Sequence, residues 1–402
     1  VTKTDENTIR IVNRLPLEEY LSAVLPKALV GEKQDAAILK AQAVAMRSTA
    51  YLSLGTRAEY DVPATAPDGN IPVYLGKNAE GLRETKALTE TFGEVLLYRG
   101  AVIEAPYHVS SGGYTESGRN YYGKKLEYLR SKKDFDGKSI YYRWKTEFTP
   151  EELDAAFERA GYNFGKVLAL QISKFPESFP VKQSEIDRTD TGRITTVTVL
   201  GNQGWVKIQA ADFVRTLGLS SRLFGVIIGT PIPKTIDATV TDGMGNDVEL
   251  IKIAVNINEP DTYKMPGDPI NSKRISRNKD DKIVFYGLGT GTGLGLSQYG
   301  AKAMLEQELQ DYLKNKVKTL AQSPAAKAPP QAEQSKSEPS KTDKPTAAVE
   351  YGSKPDQKQK PPVKPVKADK PEAPEPSSKL GADYYKKILA YYFPGTKVSK
   401  QY

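Results

Sequence analysis

The sequence predicts an α+β fold, one mixed domain with a long disordered Lys/Pro-rich insertion near its C-terminus. Three observations lead there. An Ala-rich helical pattern stands near the N-terminus, strand-period runs separated by turn residues fill the middle, and the composition changes abruptly at about residue 318. Over 318–379 the chain is Lys, Pro, Ala, Ser and Gln with almost no large apolar residue. Such a stretch cannot bury enough surface to offset the entropy lost on ordering. The remainder of the 402 residues is long enough for a large core.

Taken in order, residues 9–12 read as a strand, and Leu17 opens an amphipathic helix. A longer helix follows, because Ala36, Ile38, Leu39, Ala41, Ala43, Val44 and Met46 give the dense apolar pattern of a buried helix. Arg47 ends that pattern, and spacing alone turns it to solvent at a helix C-terminus. The pattern then changes to strands at 72–74, 94–98 and 101–109, with a helix over 78–91. Ser-Ser-Gly-Gly-Tyr-Thr-Glu-Ser at 110–117 is a small-residue loop directly after the strand that carries His108. Thr149-Pro150-Glu151-Glu152 starts a helix, with Thr as N-cap and Pro at the first helical position. Strand periodicity surrounds Thr191-Gly192-Arg193, and 210–217 is a short helix. The polar segment 230–282 holds two strands, 237–240 and 247–255, and is set apart as a candidate sub-domain. Order returns at 384–393 with a turn at 394–396, so the expected divisions are 1–317, 318–379 and 380–402.

Composition excludes several chemistries. There is no cysteine, hence no disulfide, thiolate nucleophile or thiolate metal site. The single histidine, His108, cannot make a His-rich zinc centre, so no metal and no cofactor is expected. The net charge of +8 is spread along the chain. It suits a neighbouring anionic polymer, and equally it serves ordinary solubility. No apolar run approaches the roughly 20 residues of a membrane span. No signal peptide is visible, and the start at Val1 without methionine is what a trimmed or mature form would show.

The densest motif is Gly-Leu-Gly-Thr-Gly-Thr-Gly-Leu-Gly-Leu-Ser-Gln-Tyr-Gly-Ala at 287–301, with glycine at every second position from Gly287 to Gly295. It follows the apolar run Ile283-Val284-Phe285-Tyr286 and leads into a helix. Alternate glycines strip the side chains from one face of an extended segment. The loop therefore either lines a ligand site or lets another backbone pass close by. A dinucleotide site is disfavoured, because no Gly-Lys-Ser/Thr follows and no acid stands about twenty positions on in a βαβ unit.

Several segments in this order resemble the SpoIID/LytB family, the stage II sporulation protein D and amidase-enhancer group. They are Asn13-Arg14-Leu15-Pro16-Leu17-Glu18-Glu19-Tyr20-Leu21, Leu39-Lys40-Ala41-Gln42-Ala43-Val44-Ala45-Met46-Arg47 and Val73-Tyr74-Leu75-Gly76. The set continues with the Ser110–Glu116 loop, Tyr128-Leu129, Thr191-Gly192-Arg193, the glycine loop and Ile388–Thr396. The resemblance covers 9–305 with a tail at 383–396, which makes 318–379 an insertion inside a SpoIID-like domain.

The resemblance implies an exported cell-envelope protein acting on peptidoglycan glycan strands, with an amidase or another cell-wall hydrolase as possible partner. It implies neither nucleic-acid binding nor a membrane span. Better-known members are lytic transglycosylases that cut stem-peptide-free strands. There one glutamic acid protonates the glycosidic oxygen and then, as carboxylate, helps the muramic C6 hydroxyl attack, leaving a 1,6-anhydro end. This chain departs from its family at two places. Ala28 or a neighbour stands where that acid belongs, and Thr292 stands where the glycine loop usually carries histidine. Some relatives bind zinc through Cys and His near the SGG loop; without cysteine, none is expected here.

The candidate acids are Glu32 and Glu116, with Asp35 a further nearby carboxyl. Their plainer readings are a helix N-terminal charge and a solvated loop carboxylate. Arg47, Ser110, Ser111, Thr292, Ser297, Gln298 and Tyr299 are the expected substrate contacts. The missing acid favours a protein that binds glycan strands with reduced or lost lytic activity, as a binding or amidase-enhancing module. The alternative is an active lytic transglycosylase. An envelope scaffold tethered by the insertion is a third class.

Overall fold

The computed structural model describes residues 2–3, 9–31, 34–57, 59–63, 74–181, 187–229, 235–241, 247–254, 262–263, 272–275, 277, 282–322 and 375–402. The chain divides into two units, 1–309 with 376–402, and 310–375. The described part of the second unit is the distal stretch of one helix, to Gln322. Of the insertion expected over 318–379, residues 318–322 continue that helix, 323–374 lie outside the described residues, and the last residues are ordered, with Pro376–Leu380 forming a 3₁₀ turn.

Two short strands, β1 (Thr2–Lys3) and β2 (Ile9–Arg10), pair ahead of helix α1 (Leu17–Ala28). Helix α2 (Ala36–Ser53) is capped by Asp35, whose carboxylate accepts from the Ala37 N–H at 2.9 Å. It continues past Arg47 because Ser48, Thr49 and Ala50 keep the helical backbone and Ala50 remains buried. The single helix expected over 78–91 is instead a 3₁₀ turn, Lys77–Ala79, and helix α3 (Leu82–Glu90). Gly81 between them is extended, which separates the two pieces. Of the strand expected at 72–74, Tyr74 is not in a strand and the rest lies outside the described residues.

Strands β3 (Glu94–Tyr98), β4 (Ala101–Val102) and β5 (Tyr107–His108) come next, then helix α4 (Gly118–Tyr122) and β6 (Arg143–Phe148). Helix α5 (Pro150–Arg159) starts with a complete capping box between Thr149 and Glu152. Strands β7 (Val167–Gln171), β8 (Thr196–Gly201) and β9 (Gly204–Gln209) lead to α6 (Ala210–Leu217), which ends at left-handed Gly218. Then follow β10 (Phe224–Gly229), β11 (Thr235–Thr241), β12 (Asp247–Ala254), β13 (Thr262–Tyr263), β14 (Ser272–Arg274), β15 (Lys282–Leu288) and β16 (Leu296–Ser297). Helices α7 (Gln298–Gln322) and α8 (Tyr384–Tyr392) and strand β17 (Lys397–Lys400) complete the chain. In the segment set apart at 230–282, β11 and β12 form a hairpin, whereas β13 and β14 extend a sheet with β7.

The larger sheet runs β13-β14-β7-β8-β9, and a second runs β10-β15-β6. Their inner faces and helices α5 and α6 enclose one core, with Phe157, Phe213, Phe224 and Phe285 at its centre. A second core joins α2 to β3, the first turns of α7 and the returning helix α8, through Ile38, Ala41, Leu96, Leu305, Ile388 and Leu389. The sheet β17-β3-β4 closes that side. Among the described residues no helix is long and apolar enough to cross a membrane.

Candidate functional site

The loop after β5 turns back through two left-handed glycines, Gly112 (φ +75°) and Gly113 (φ +98°). That turn points its N–H groups at one carboxylate. Gly112 N–H donates to Asp136 Oδ2 at 2.8 Å and Gly113 N–H to Oδ1 at 3.0 Å. Ser110 Oγ donates to Asp136 Oδ2 at 2.5 Å, and Ser111 Oγ to Asp134 Oδ2 at 2.7 Å. Asp134 also accepts from the Tyr392 hydroxyl at 2.7 Å. The two serines, the two aspartates and Tyr392 are all buried. Ser110 and Ser111, expected as sugar contacts, therefore hold the turn against two acids that sequence reasoning overlooked. A signal existed in Asp134-Phe135-Asp136-Gly137, but nothing local announces that its carboxylates reach a loop more than twenty residues away.

The glycine loop is not the extended, one-sided segment its spacing predicts. Gly289, Gly291, Gly293 and Gly295 all take positive φ, from +73° to +98°. Side chains on them would collide with Ser110 O, His108 Cβ, the Arg193 guanidinium and Pro106 O respectively. At these four positions the protein itself makes the close approach. Thr290 and Ser110 exchange backbone hydrogen bonds at 2.8 and 3.1 Å, fastening this loop to the SGG turn.

Beneath both loops lies Arg193, fully buried. Its Nη1 donates to Thr191 Oγ1 at 3.0 Å, and its Nη2 to the carbonyls of Ser111 and Tyr114 at 2.7 and 2.9 Å. Glu116 is 1% exposed. Its carboxylate accepts from Ser117 N–H (2.7 Å), Asn120 Nδ2 (2.7 Å), Thr189 Oγ1 (3.0 Å) and Thr191 Oγ1 (2.8 Å). A carboxylate has about four lone-pair directions, so four donors fill it. Buried and surrounded by four donors, Glu116 is not the solvated loop carboxylate of the plainer sequence reading. His108 donates through Nδ1 to Leu294 O at 3.0 Å, the tautomer this contact assigns, and burial lowers its pKa to about 4. Among the described residues no three His, Asp or Glu side chains converge as a metal centre.

At the loop-to-helix junction, Ser297 Oγ accepts from Gly300 N–H at 3.1 Å and so caps α7 rather than facing a sugar. Gln298 is buried, and its amide grips the end of α1. Nε2 donates to Ala28 O at 2.6 Å and approaches Gln42 Oε1 at 3.4 Å, while Oε1 accepts from Val30 N–H at 3.4 Å. Ala28, in the segment where the resemblance places an acid, is only 7% exposed. Asp35 is engaged as the α2 cap and by Ser377 N–H at 3.1 Å. Glu32 lies outside the described residues.

Tyr299 is half-buried, and its hydroxyl donates to Val30 O at 3.4 Å. Its ring lies 5.0 Å from that of Tyr141 and covers left-handed Gly31, where any side chain would meet the phenol. Thr292 is half-buried, and its hydroxyl accepts from Leu294 N–H at 3.2 Å. Of the expected contacts, Tyr299 and Thr292 stand at the surface, beside exposed Gly31 and Gly291.

Arg47 lies elsewhere and is fully buried rather than turned to solvent. Nε and Nη2 donate to the two oxygens of Glu18 at 2.6 and 2.9 Å. Nη1 donates to Glu94 O (3.1 Å) and Thr91 Oγ1 (3.4 Å), and Nη2 to Leu88 O (3.3 Å). All five N–H groups are engaged, which leaves none for a sugar.

These loops define a mixed α+β domain in which a glycine-rich turn feeds a capped helix and is braced from below by a buried arginine. The SpoIID family model, described as "Stage II sporulation protein", matches residues 5–98. The chain is 30% identical over 278 residues to the amidase enhancer of Bacillus subtilis (strain 168), covering 67% of this chain and 35% of that protein. It is 31% identical over 228 residues to stage II sporulation protein D of Bacillus amyloliquefaciens, covering 53% of this chain and 60% of that protein. The Bacillus subtilis protein of the same name is 29% identical over 156 residues, or 35% and 45% of the two chains. The chain thus spans between about a third and three-fifths of these relatives. It belongs to the SpoIID/LytB family.

Proposed function

We propose that this is an exported cell-envelope protein that binds peptidoglycan glycan strands with reduced or lost lytic activity. It acts as a binding module or as an enhancer of a partner amidase. The observation that carries this reading is Ala28: an apolar, packed residue in the segment where the acid is expected, with its carbonyl held by Gln298. Glu116 is engaged as an acceptor, and the names of the relatives, amidase enhancer and stage II sporulation protein D, accord with a cell-wall role.

The test is incubation with stem-peptide-free peptidoglycan, followed by mass spectrometry for 1,6-anhydro ends and by co-sedimentation. Binding without anhydro product is expected. Product that disappears in Glu32→Gln would establish an active transglycosylase with a relocated acid. In the reverse direction, Ala28→Glu is expected to raise anhydro product above background while Ala28→Gln does not.

A further inference from the structure

We propose that helix α7 pairs antiparallel with the same helix of a second copy of this chain, through the ridge Leu309, Leu313 and Val317. The first turns of α7 are packed: Ala301, Met304 and Leu305 are buried, and half-buried Leu309 lies against the core that α2 shares with α8. From Asp311 to Thr319 every residue is exposed, yet the helix continues to Gln322. Leu313 is 45% exposed and Val317 64%. With Leu309 they stand at i, i+4 and i+8, so the three side chains make one ridge along the helix. Tyr312, three residues from Leu309, flanks it. Most helical stability in a protein comes from packing of an apolar face. Neither Leu313 nor Val317 joins any hydrophobic cluster among the described residues.

The order of charges along the helix selects the occupant. Acids stand before the middle of the ridge, Glu306, Glu308 and Asp311, and lysines after it, Lys314, Lys316 and Lys318. All six lie outside the first and last turns, where the helix dipole acts, so the dipole does not account for their order. Glu308 pairs with Lys387 at 2.5 Å and Asp311 with Lys314 at 3.7 Å, whereas Glu306, Lys316 and Lys318 have no ion pair among the described residues. A two-fold axis at Leu313 sets that residue against its own counterpart, and Leu309 against Val317 of the second copy. The same axis brings the acids of each copy alongside the lysines of the other. Parallel pairing would set acid beside acid and lysine beside lysine, which is repulsive. Charge complementarity therefore fixes both the occupant, an identical helix, and its direction. The seam is short and falls below the size of a permanent interface, so the dimer is weak, with a dissociation constant on the order of 100 µM.

The test uses the full chain, which has no cysteine of its own. Leu313→Cys places one thiol on the axis and should give a disulfide-linked dimer under mild oxidation, about ten-fold faster than Asn315→Cys on the far side of the helix. Val317→Cys should also link slowly to itself, because antiparallel pairing holds it roughly 12 Å along the axis from its counterpart. In sedimentation equilibrium, the average mass of wild type should rise towards that of a dimer between about 10 and about 500 µM, and added salt should weaken the rise. Leu313→Glu combined with Val317→Glu should remain monomeric at an unchanged melting temperature, because both side chains are exposed. Val317→Cys linking to itself as fast as Leu313→Cys would mean parallel pairing and overturn the inference. A wild type that stays monomeric at every concentration, as when the chain's own residues 323–374 cover the ridge, would overturn it as well.

Discussion

The guanidinium of Arg193 fills the space over Gly293 in which a side chain would stand. Gly293 also has φ +79°, so alanine there meets both a strained backbone and a buried cation that cannot move without losing the Ser111 and Tyr114 carbonyls. Gly293→Ala is expected to destabilise the fold by about 3 kcal/mol, seen as a lower urea midpoint at unchanged slope.

Glu116→Gln keeps the shape of the side chain but puts a donor where one oxygen now accepts. Two of the four donors at that carboxylate lose their acceptor, and the nearby Arg193 loses an attractive charge. The expected cost is about 3 kcal/mol of stability. A general acid would behave differently: its glutamine variant would fold as stably as wild type and lose only product formation.

Arg47→Lys replaces a planar fork by a single ammonium and leaves Leu88 O, Thr91 Oγ1 or one oxygen of Glu18 without its donor. A loss of about 2–4 kcal/mol is expected by chemical denaturation. Removing both partners, Arg47→Met with Glu18→Met, should recover part of it, and glycan co-sedimentation below the melting temperature should be unaffected in either variant.

His108 makes stability depend on pH in a definite direction. Its folded pKa of about 4 lies below the ordinary 6.5, because burial disfavours the imidazolium, and its Nε2 has no hydrogen-bond partner among the described residues. The unfolded chain therefore takes up the proton first as pH falls. Stability is complete above about pH 6.5 and declines between there and pH 4, by roughly 2 kcal/mol from pH 7 to 5. His108→Asn retains a donor for Leu294 O, and its urea midpoint should be flatter over that range than the wild-type midpoint.

Local signals located most elements. The Thr149 capping box, the short α6, the hairpin of β11 and β12 and the returning helix α8 all stand where pattern and turn chemistry placed them. What resisted was partnership at long range. Spacing shows Arg47 as a lone charge on an apolar helix, yet its acceptors come from α1, α3 and β3. The serines of the SGG loop look like polar contacts for a ligand until Asp134 and Asp136 arrive from a different segment. Alternating glycines are ambiguous between an extended face and a series of left-handed turns, and only the groups pressed against them decide. Tyr299 is half-buried at the loop-to-helix junction, with Tyr141 beside it from a segment that no spacing links to it.

Helix α8 and strand β17 complete a core begun some three hundred residues earlier, with β17 lying antiparallel to β3 and Ile388 packed among residues of α2. During synthesis, Ile38, Ala41 and Ala45 must therefore wait until α8 has emerged before their apolar surface is covered. Contacts that distant in sequence are slow to form, since a long chain closure precedes any gain from them. The α2 region of the domain thus leaves the ribosome unfinished, and a fragment ending at α7 would expose the hydrophobic seam that α8 seals.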